Sequence, residues 1–125
     1  MADKYIQLMS EDGTDNLYPV GKLDLLWTNS SPTASFSSQT VSLDLSKYRL
    51  VMISYCYSYN SEYYQTMIQP VDGLTYRCTT GNSTNNNNGV RAGTATATGV
   101  VFTAGAYNGA SNNQYVIPYK IYGIR

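Results

Sequence analysis

Short runs of alternating apolar and polar residues dominate the chain, the pattern of strands with one buried face. In residues 40–45, "TVSLDL", Val41, Leu43 and Leu45 point one way and the polar residues point the other. No segment of ten or more residues has the apolar spacing of a helix, and abundant Thr, Ser, Asn and Gly also disfavour helices. Many short strands between turn residues predict an all-β sandwich or small barrel. We expect an antiparallel, jelly-roll-like β-sandwich.

Two of these runs predict where individual strands lie. Residues 22–28, "KLDLLWT", place Leu23, Leu25 and Trp27 on one face, which we expect to be buried. Residues 49–59, "RLVMISYCYSY", begin apolar on both faces. This second run therefore predicts a strand in the middle of a packed sheet.

The length of 125 residues suggests one main domain, preceded by a small lead-in. Residues 1–21 are interpreted as an N-terminal β-hairpin or strap, with a polar turn at Glu11–Asp15 and a boundary near Gly21. Residues 22–125 are expected to form the sandwich head domain.

The closing segment, residues 115–125, "YVIPYKIYGIR", alternates up to its last positions. It therefore predicts a strand that closes the sandwich or lies against a neighbouring subunit. Pro118 has no N–H to donate, which indicates a sheet edge, a bulge or the beginning of a paired run.

The charge and the N-terminus restrict partners and location. Eight Lys and Arg balance eight Asp and Glu, so no general attraction to nucleic acid or anionic membrane is expected. The first residues lack the apolar stretch of a signal peptide, and no apolar run is long enough to span a bilayer. We expect synthesis and folding in the cytosol.

Catalytic signatures are missing from the sequence. There is no His, which removes Ser–His and Cys–His nucleophile pairs, and there is no glycine-rich phosphate loop. A glycosidase using Glu62 and Asp72 is the weakest alternative, since nothing marks those acids as a pair. Cys56 and Cys78 are interpreted as buried thiols, with pairing open if their strands are neighbours. We predict a protein that is not an enzyme and has no cofactor and no metal site.

Thirteen tyrosines point instead to recognition, because tyrosine offers a flat ring and a hydroxyl at low entropic cost. Many of them surround the turn near residue 61, with amide and carboxylate neighbours suited to stacking on and bonding a sugar. The alternative, cross-strand aromatic packing in a hairpin, carries equal weight. The candidate glycan patch comprises Tyr55, Tyr57, Tyr59, Asn60, Glu62, Tyr63, Tyr64 and Gln65. A secondary patch comprises Tyr107, Asn108, Asn112 and Asn113.

Residues 82–89, "NSTNNNNG", form a short asparagine-rich stretch. Asparagine tolerates left-handed backbone and bonds its own backbone, so a long hairpin tip is the favoured interpretation and a polar recognition loop is the alternative. Asn88–Gly89 is the dipeptide typical of a tight turn, and we expect the turn there.

Four segments carry a family resemblance: "YIQLMSEDGTDNLYPVG", "LLWTNSSPTASFSSQTVSLDLSKY", "RLVMISY" and "VIPYKIYGIR". They resemble C-terminal head domains of tail-fibre and minor structural proteins in phages and prophages of Gram-positive gut bacteria. The resemblance covers most of the chain and is strongest over Leu25–Tyr55 and Ile117–Ile124.

The resemblance implies a β-sandwich head of a receptor-binding protein in the virion, in the phage tail. Such heads are typically homotrimers that bind host cell-surface carbohydrate and are held by other phage tail proteins. We therefore expect a non-catalytic phage tail protein, synthesised in the bacterial cytoplasm, that binds a host glycan through tyrosine-rich loops. The alternative is a purely structural virion subunit, such as a capsid decoration or a tail-tip adaptor, without glycan binding.

Overall fold

The computed structural model describes residues 6–9, 16–20, 22–61, 63–82 and 87–125. These residues form β-strands and their connections, and none of them lies in a helix. Accordingly, the described part of the chain has no helix long and apolar enough to cross a membrane. The strands are β1 (Ile6–Met9), β2 (Asn16–Val20), β3 (Leu23–Thr28), β4 (Gln39–Ser42), β5 (Leu50–Ser58), β6 (Tyr64–Pro70), β7 (Thr75–Asn82), β8 (Asn87–Thr96), β9 (Gly99–Phe102), β10 (Ala106–Tyr107), β11 (Ala110–Ser111) and β12 (Tyr115–Ile124).

Two antiparallel sheets pack against each other. The first has four strands in the order β3-β12-β5-β6. In the second, β8 pairs with β7 on one side and with β9 and β10 on the other, and β4 and β11 extend β9 and β10. The prediction of an all-β, antiparallel sandwich is confirmed. The jelly-roll subtype stays a prediction.

The core lies between the two sheets and consists of aliphatic and aromatic side chains. Each fully buried aliphatic side chain stabilises the fold by about 1.5–3 kcal/mol relative to an exposed one. Phe102 is central among the rings and contacts Phe36 and Tyr55 edge-on, at centroid distances of 5.7 and 6.2 Å. The fully buried hydrophobic side chains include Leu45, Val51, Ile53, Tyr55, Val100, Phe102, Val116, Ile117 and Ile121.

The two longest strands of the first sheet occupy its middle. β5 lies between β12 and β6, as its apolar faces predicted, and β12 lies between β3 and β5. The pairing of β12 with β5 shifts register between Pro118 and Lys120, so of the three alternatives at the proline (a sheet edge, a bulge or the beginning of a paired run) the structure has the bulge. The last strand is therefore an interior strand of this sheet, with Ile121 fully buried.

The prediction for β3 was wrong at two positions. Leu23 and Leu25 are 46% and 53% exposed, whereas Leu26 and Trp27 pack against the core. The pairing passes from Trp27 to Leu25 and leaves Leu26 without a partner across the ladder. This bulge reverses which alternate residues face inward, because one inserted residue moves every later side chain to the other face.

The N-terminal segment pairs with itself. β1 and β2 are antiparallel, with Ile6 opposite Val20 and Met9 opposite Asn16. The expected turn at Glu11–Asp15 and the boundary at Gly21 lie outside the described residues. The division into residues 1–21 and 22–125 stays a prediction.

The asparagine-rich stretch connects β7 to β8, with Asn82 opposite Asn87. Residues 83–86, between those strands, lie outside the described residues. Asn88 and Gly89 belong to β8, so the prediction of a tight turn at this dipeptide was wrong. A Cβ at Gly89 would lie 2.9 Å from Val116 Cγ2 and 3.0 Å from Thr80 Oγ1, so the glycine permits close packing here.

Candidate functional site

Four tyrosine rings meet at one end of the sandwich: Tyr57, Tyr59, Tyr107 and Tyr115, hereafter the tyrosine cluster. Tyr107 stacks on Tyr115, with centroids 4.0 Å apart and planes 17° apart. Tyr57 and Tyr59 contact the same ring edge-on, at 5.9 and 6.4 Å. Tyr115 therefore joins the two patches proposed from the sequence, although it belonged to neither.

Strand pairing brings the rings of β5 and β12 together. Tyr115 opens β12, where it lies opposite Ser58 of β5. The Tyr59 N–H donates to the Gln114 carbonyl at 2.9 Å, which ties the β5–β6 turn to the loop before β12. Tyr57 and Tyr59 flank Ser58, so both lie beside Tyr115.

A two-residue turn positions Tyr107. Asn108 and Gly109, which join β10 to β11, have φ angles of 50° and 83°. Positive φ at both central residues is the geometry of a type I′ hairpin turn, for which Asn-Gly is the preferred pair. Tyr107, directly before this turn, lies opposite Gly89 of β8, and its ring stacks on Tyr115.

The buried Arg91 side chain bonds the backbone at and next to Tyr115. Its guanidinium is buried (1% exposed) and lies 5.3 Å from the centre of the Phe36 ring. Nε donates to the Val116 carbonyl at 2.6 Å, Nη1 to the Thr103 carbonyl at 2.6 Å and Nη2 to the Tyr115 carbonyl at 3.1 Å. Burial lowers the pKa of Arg91 to about 10, so it stays charged at neutral pH. One cation thus holds the chain on both sides of the loop that leads into β12.

Val116, next to Tyr115, has a φ of 49°. A β-branched residue rarely adopts this left-handed conformation, which costs about 1–3 kcal/mol. The surrounding packing and the Arg91 bond to its carbonyl compensate for this cost. The cluster therefore includes a strained position that its supports keep in place.

The rings are accessible to differing degrees. Tyr59 is 43% exposed, and the other three are half-buried. Burial raises the pKa of Tyr57 and of Tyr115, so both hydroxyls stay protonated at neutral pH and can donate hydrogen bonds. The cluster thus combines apolar faces with polar hydroxyls.

Side-chain amides surround the cluster and hold its loops. Asn60 Oδ1 accepts from the Ser58 hydroxyl at 2.9 Å, and Asn112 Oδ1 accepts from the Gln114 N–H at 3.0 Å. Asn113 Oδ1 accepts from the Gly105 N–H at 3.1 Å. An amide has two donor hydrogens and two acceptor lone pairs, so one such bond leaves capacity for a ligand.

Asn108 performs a similar task on the hairpin side. Its Nδ2 donates to Asn87 Oδ1 at 2.9 Å, and its Oδ1 accepts from the Asn88 N–H at 2.8 Å. The asparagine-rich β7–β8 hairpin is therefore tied to the β10–β11 turn. All four members of the secondary patch belong to this end of the molecule.

The remaining residues of the first patch are dispersed. Tyr55 is fully buried in the core and is not part of the accessible surface. Tyr63 is 79% exposed, and Tyr64 is 50% exposed with its ring 5.2 Å from that of Tyr119. Glu62 lies outside the described residues.

Gln65, the last residue of that patch, is occupied by the second sheet. Its Nε2 donates to the Thr79 carbonyl at 3.0 Å and approaches Cys78 Sγ at 3.5 Å. It links β6 to β7, which are not paired strands. We therefore keep Gln65 outside the tyrosine cluster.

Both cysteines are buried free thiols, as interpreted from the sequence. Cys56 is in β5 of the first sheet and Cys78 is in β7 of the second. Desolvation raises the pKa of both thiols, that of Cys78 to about 11.

Another surface feature lies away from the tyrosines, beside β4 and the β8–β9 turn. It is an open depression of about 420 Å³ lined by Ser42, Leu43, Asp44, Ala97 and Thr98. Asp44 there accepts hydrogen bonds from the side chain and backbone of Ser46, which lower its pKa. The depression has no aromatic ring, so it offers less for recognition than the cluster. Among the described residues, no three His, Cys, Asp or Glu side chains are grouped to hold a metal ion.

No protein-family model, curated protein or solved structure matches this chain.

Proposed function

We propose that this chain is a non-catalytic receptor-binding protein of a phage or prophage tail that binds a host cell-surface glycan through the tyrosine cluster. The observation that carries the proposal is the convergence of three tyrosine rings, those of Tyr57, Tyr59 and Tyr107, on the ring of Tyr115. The family resemblance of the sequence supports the same context. Tyr63 and Tyr64, two members of the candidate glycan patch predicted from the sequence, lie outside the cluster.

The chemistry of the cluster suits a neutral sugar. The C–H face of a pyranose packs on an aromatic ring, and its hydroxyls bond to groups such as the tyrosine hydroxyls and the Asn60 and Asn112 amides. The net charge of zero fits a ligand recognised by shape and hydrogen bonds. Repetition of a weak single site raises its avidity.

The assembly proposed with this function is a homotrimer in the virion, attached to other tail proteins and synthesised in the bacterial cytoplasm. Three copies would present three clusters to a repetitive cell-surface polysaccharide. Effective concentrations in the millimolar range would then convert weak single sites into stable attachment.

Binding of fluorescently labelled protein to a panel of Gram-positive gut bacteria tests the function. Tyr59→Ala and Tyr107→Ala each remove one ring of the cluster, and we expect each to weaken cell binding about tenfold or more, since central aromatic anchors dominate such surfaces. The matched control is Tyr76→Ala. Tyr76 lies on β7 near the β6–β7 turn, at the opposite end of the sandwich, where its hydroxyl bonds Asp72 at 2.8 Å.

Two outcomes would reject the proposal. If both cluster variants bound cells as well as the parent while remaining folded, the cluster would not be the site. If the parent bound no cell and no surface polysaccharide, the receptor-binding function itself would fail.

A second candidate is a purely structural virion subunit, a capsid decoration or a tail-tip adaptor. Leu25 and Ile68, which are 53% and 57% exposed on the first sheet, favour a packing role. This candidate predicts no glycan binding but tight binding to phage particles that lack the subunit.

A further inference from the structure

The outer face of the four-stranded sheet, the face turned away from the core, carries two apolar rows. Residues directly opposite each other in paired strands form a row that crosses all four strands. The first row is Leu23, Ile124, Leu50 and Pro70, and the second is Leu25, Tyr122, Met52 and Ile68. We call these eight residues the apolar face.

The apolar face is exposed, in contrast to the inner face of the same strands. Leu23, Leu25, Leu50 and Ile68 are 46%, 53%, 38% and 57% exposed, and the other four are partly exposed. Val51 and Ile53, on the inner side of β5, are 0% exposed. A half-solvated antiparallel sheet ordinarily carries polar residues on its outer side, so these rows depart from the expected alternation.

A polar row borders the apolar face. Lys120 lies opposite Thr28 and Ser54, and Ser54 lies opposite Thr66. Lys120 is the only charged residue in these three rows of the described sheet. An exposed apolar patch flanked by polar residues has the composition of a protein–protein interface, and here the polar row flanks the apolar rows on one side.

The whole face of this sheet, apolar rows and polar row together, approaches the area that a stable interface needs. Neighbouring strands lie about 4.8 Å apart, so four strands are roughly 20 Å wide. Each residue adds about 3.3 Å along a strand, so strands of six to ten residues give a face roughly 25 Å long. This projected area of about 500 Å², enlarged by side-chain relief, approaches the ~800 Å² that each partner of a standard interface buries.

We propose that the apolar face is the surface on which a second copy of this chain packs. A net charge of zero and a single lysine at the border mean that two identical faces meet without strong electrostatic repulsion. Three such faces can equally turn toward a threefold axis. The inference rests on the assembly part of the proposed function and is independent of glycan binding, because the face and the tyrosine cluster are separate surfaces.

Sedimentation velocity of the full chain from about 1 to 100 µM tests the proposal, a range that spans moderate affinities. We expect the parent to form an oligomer. Leu25→Lys and Ile68→Lys place an unpaired charge within the apolar face, and each should weaken self-association more than about a hundredfold. The controls are Leu74→Lys and Val101→Lys. Leu74, in the β6–β7 turn, and Val101, on the second sheet, are 60% and 45% exposed, and neither belongs to the face.

The outcomes separate this inference from the proposed function. Circular dichroism and thermal melting establish that each variant is folded before its mass is interpreted. A parent protein that is monomeric at 100 µM overturns the inference. A monomer that binds lipid vesicles or another protein overturns it as well. An oligomer that the Lys variants of the face leave intact also overturns it. An oligomer broken only by those variants, in a protein that binds no cells, upholds the inference while the receptor-binding function fails.

Discussion

The buried guanidinium of Arg91 connects the stability of the fold to the shape of the tyrosine cluster, so its replacement is the most informative single perturbation of the fold. Arg91→Met keeps much of the length and apolar volume of the side chain but removes every donor. The carbonyls of Val116, Thr103 and Tyr115 then lose the hydrogen bonds that they accept at 2.6, 2.6 and 3.1 Å.

The expected cost follows from these bonds. A hydrogen bond from a charged donor contributes about 1.5–3 kcal/mol, so the two bonds of 2.6 Å together are worth roughly 3–6 kcal/mol. Methionine no longer requires a charge to be buried, which offsets part of this loss. We expect a net loss of about 3 kcal/mol, a large share of the 5–15 kcal/mol that stabilises a typical domain.

Urea denaturation followed by circular dichroism measures this loss, and the near-ultraviolet signal of the tyrosines reports on the cluster itself. Arg77→Met, an identical substitution at an exposed position of β7, is the control and should change stability by less than about 0.5 kcal/mol. The reasoning is refuted if Arg91→Met is as stable as Arg77→Met and keeps the parent's near-ultraviolet spectrum.

Three further predictions concern the closing strand, an ion pair and the thiols. Deleting Ile121–Arg125 removes the last four residues of β12 from between β3 and β5, so we expect no cooperative unfolding transition; a folded truncated chain would contradict this. Side-chain hydrogen bonds, chiefly from Arg125 at 2.6 Å, lower the pKa of Asp24 below its ordinary 3.8. At acid pH the unfolded chain therefore binds more protons than the folded chain, and the free energy of unfolding of the parent should fall below about pH 4. The fall should be less steep in Asp24→Asn, and denaturation of both proteins at pH 7 and pH 3 would measure the difference. Both thiols should resist a thiol-reactive dye at pH 8 until guanidinium unfolds the chain, since burial raises the pKa of Cys78 to about 11; rapid labelling of the native protein would contradict their burial.

Strand content and the central place of β5 were predictable from the sequence because they depend on local alternation. The run from Leu50 to Ser58 is apolar on both faces at its start, and only a central strand accommodates that pattern. Its inner residues, Val51, Ile53 and Tyr55, are all fully buried.

An alternating sequence indicates that the two faces of a strand differ in polarity, but it does not indicate which face is buried. Leu23 and Leu25 looked like core residues because they are apolar, yet the bulge at Leu26 gives that role to Leu26 and Trp27. The same ambiguity concealed the apolar face, where apolar residues of four strands line up only after the registers are known. The prediction of a tight turn at Asn88–Gly89 was wrong for a related reason, because close packing against β12 required a glycine within a strand.

The tyrosine cluster was only partly predictable. Tyr57 and Tyr59 are close in sequence and stood out together, as did Tyr107 in its turn. Tyr115 was missed because its role depends on the pairing of β12 with β5, a contact between distant parts of the chain. An aromatic residue at the first position of a strongly alternating run was the one local signal available.

Nuclear magnetic resonance titration of the ¹⁵N-labelled protein with surface polysaccharide fragments from Gram-positive gut bacteria tests glycan binding at the tyrosine cluster. Residue-by-residue shifts report where a weakly bound sugar contacts the protein. We expect saturable shifts concentrated at Tyr57, Tyr59, Tyr107 and Tyr115 and in the adjoining asparagine turns. Shifts centred on the depression beside Asp44, or no shifts with any fragment, would contradict this expectation.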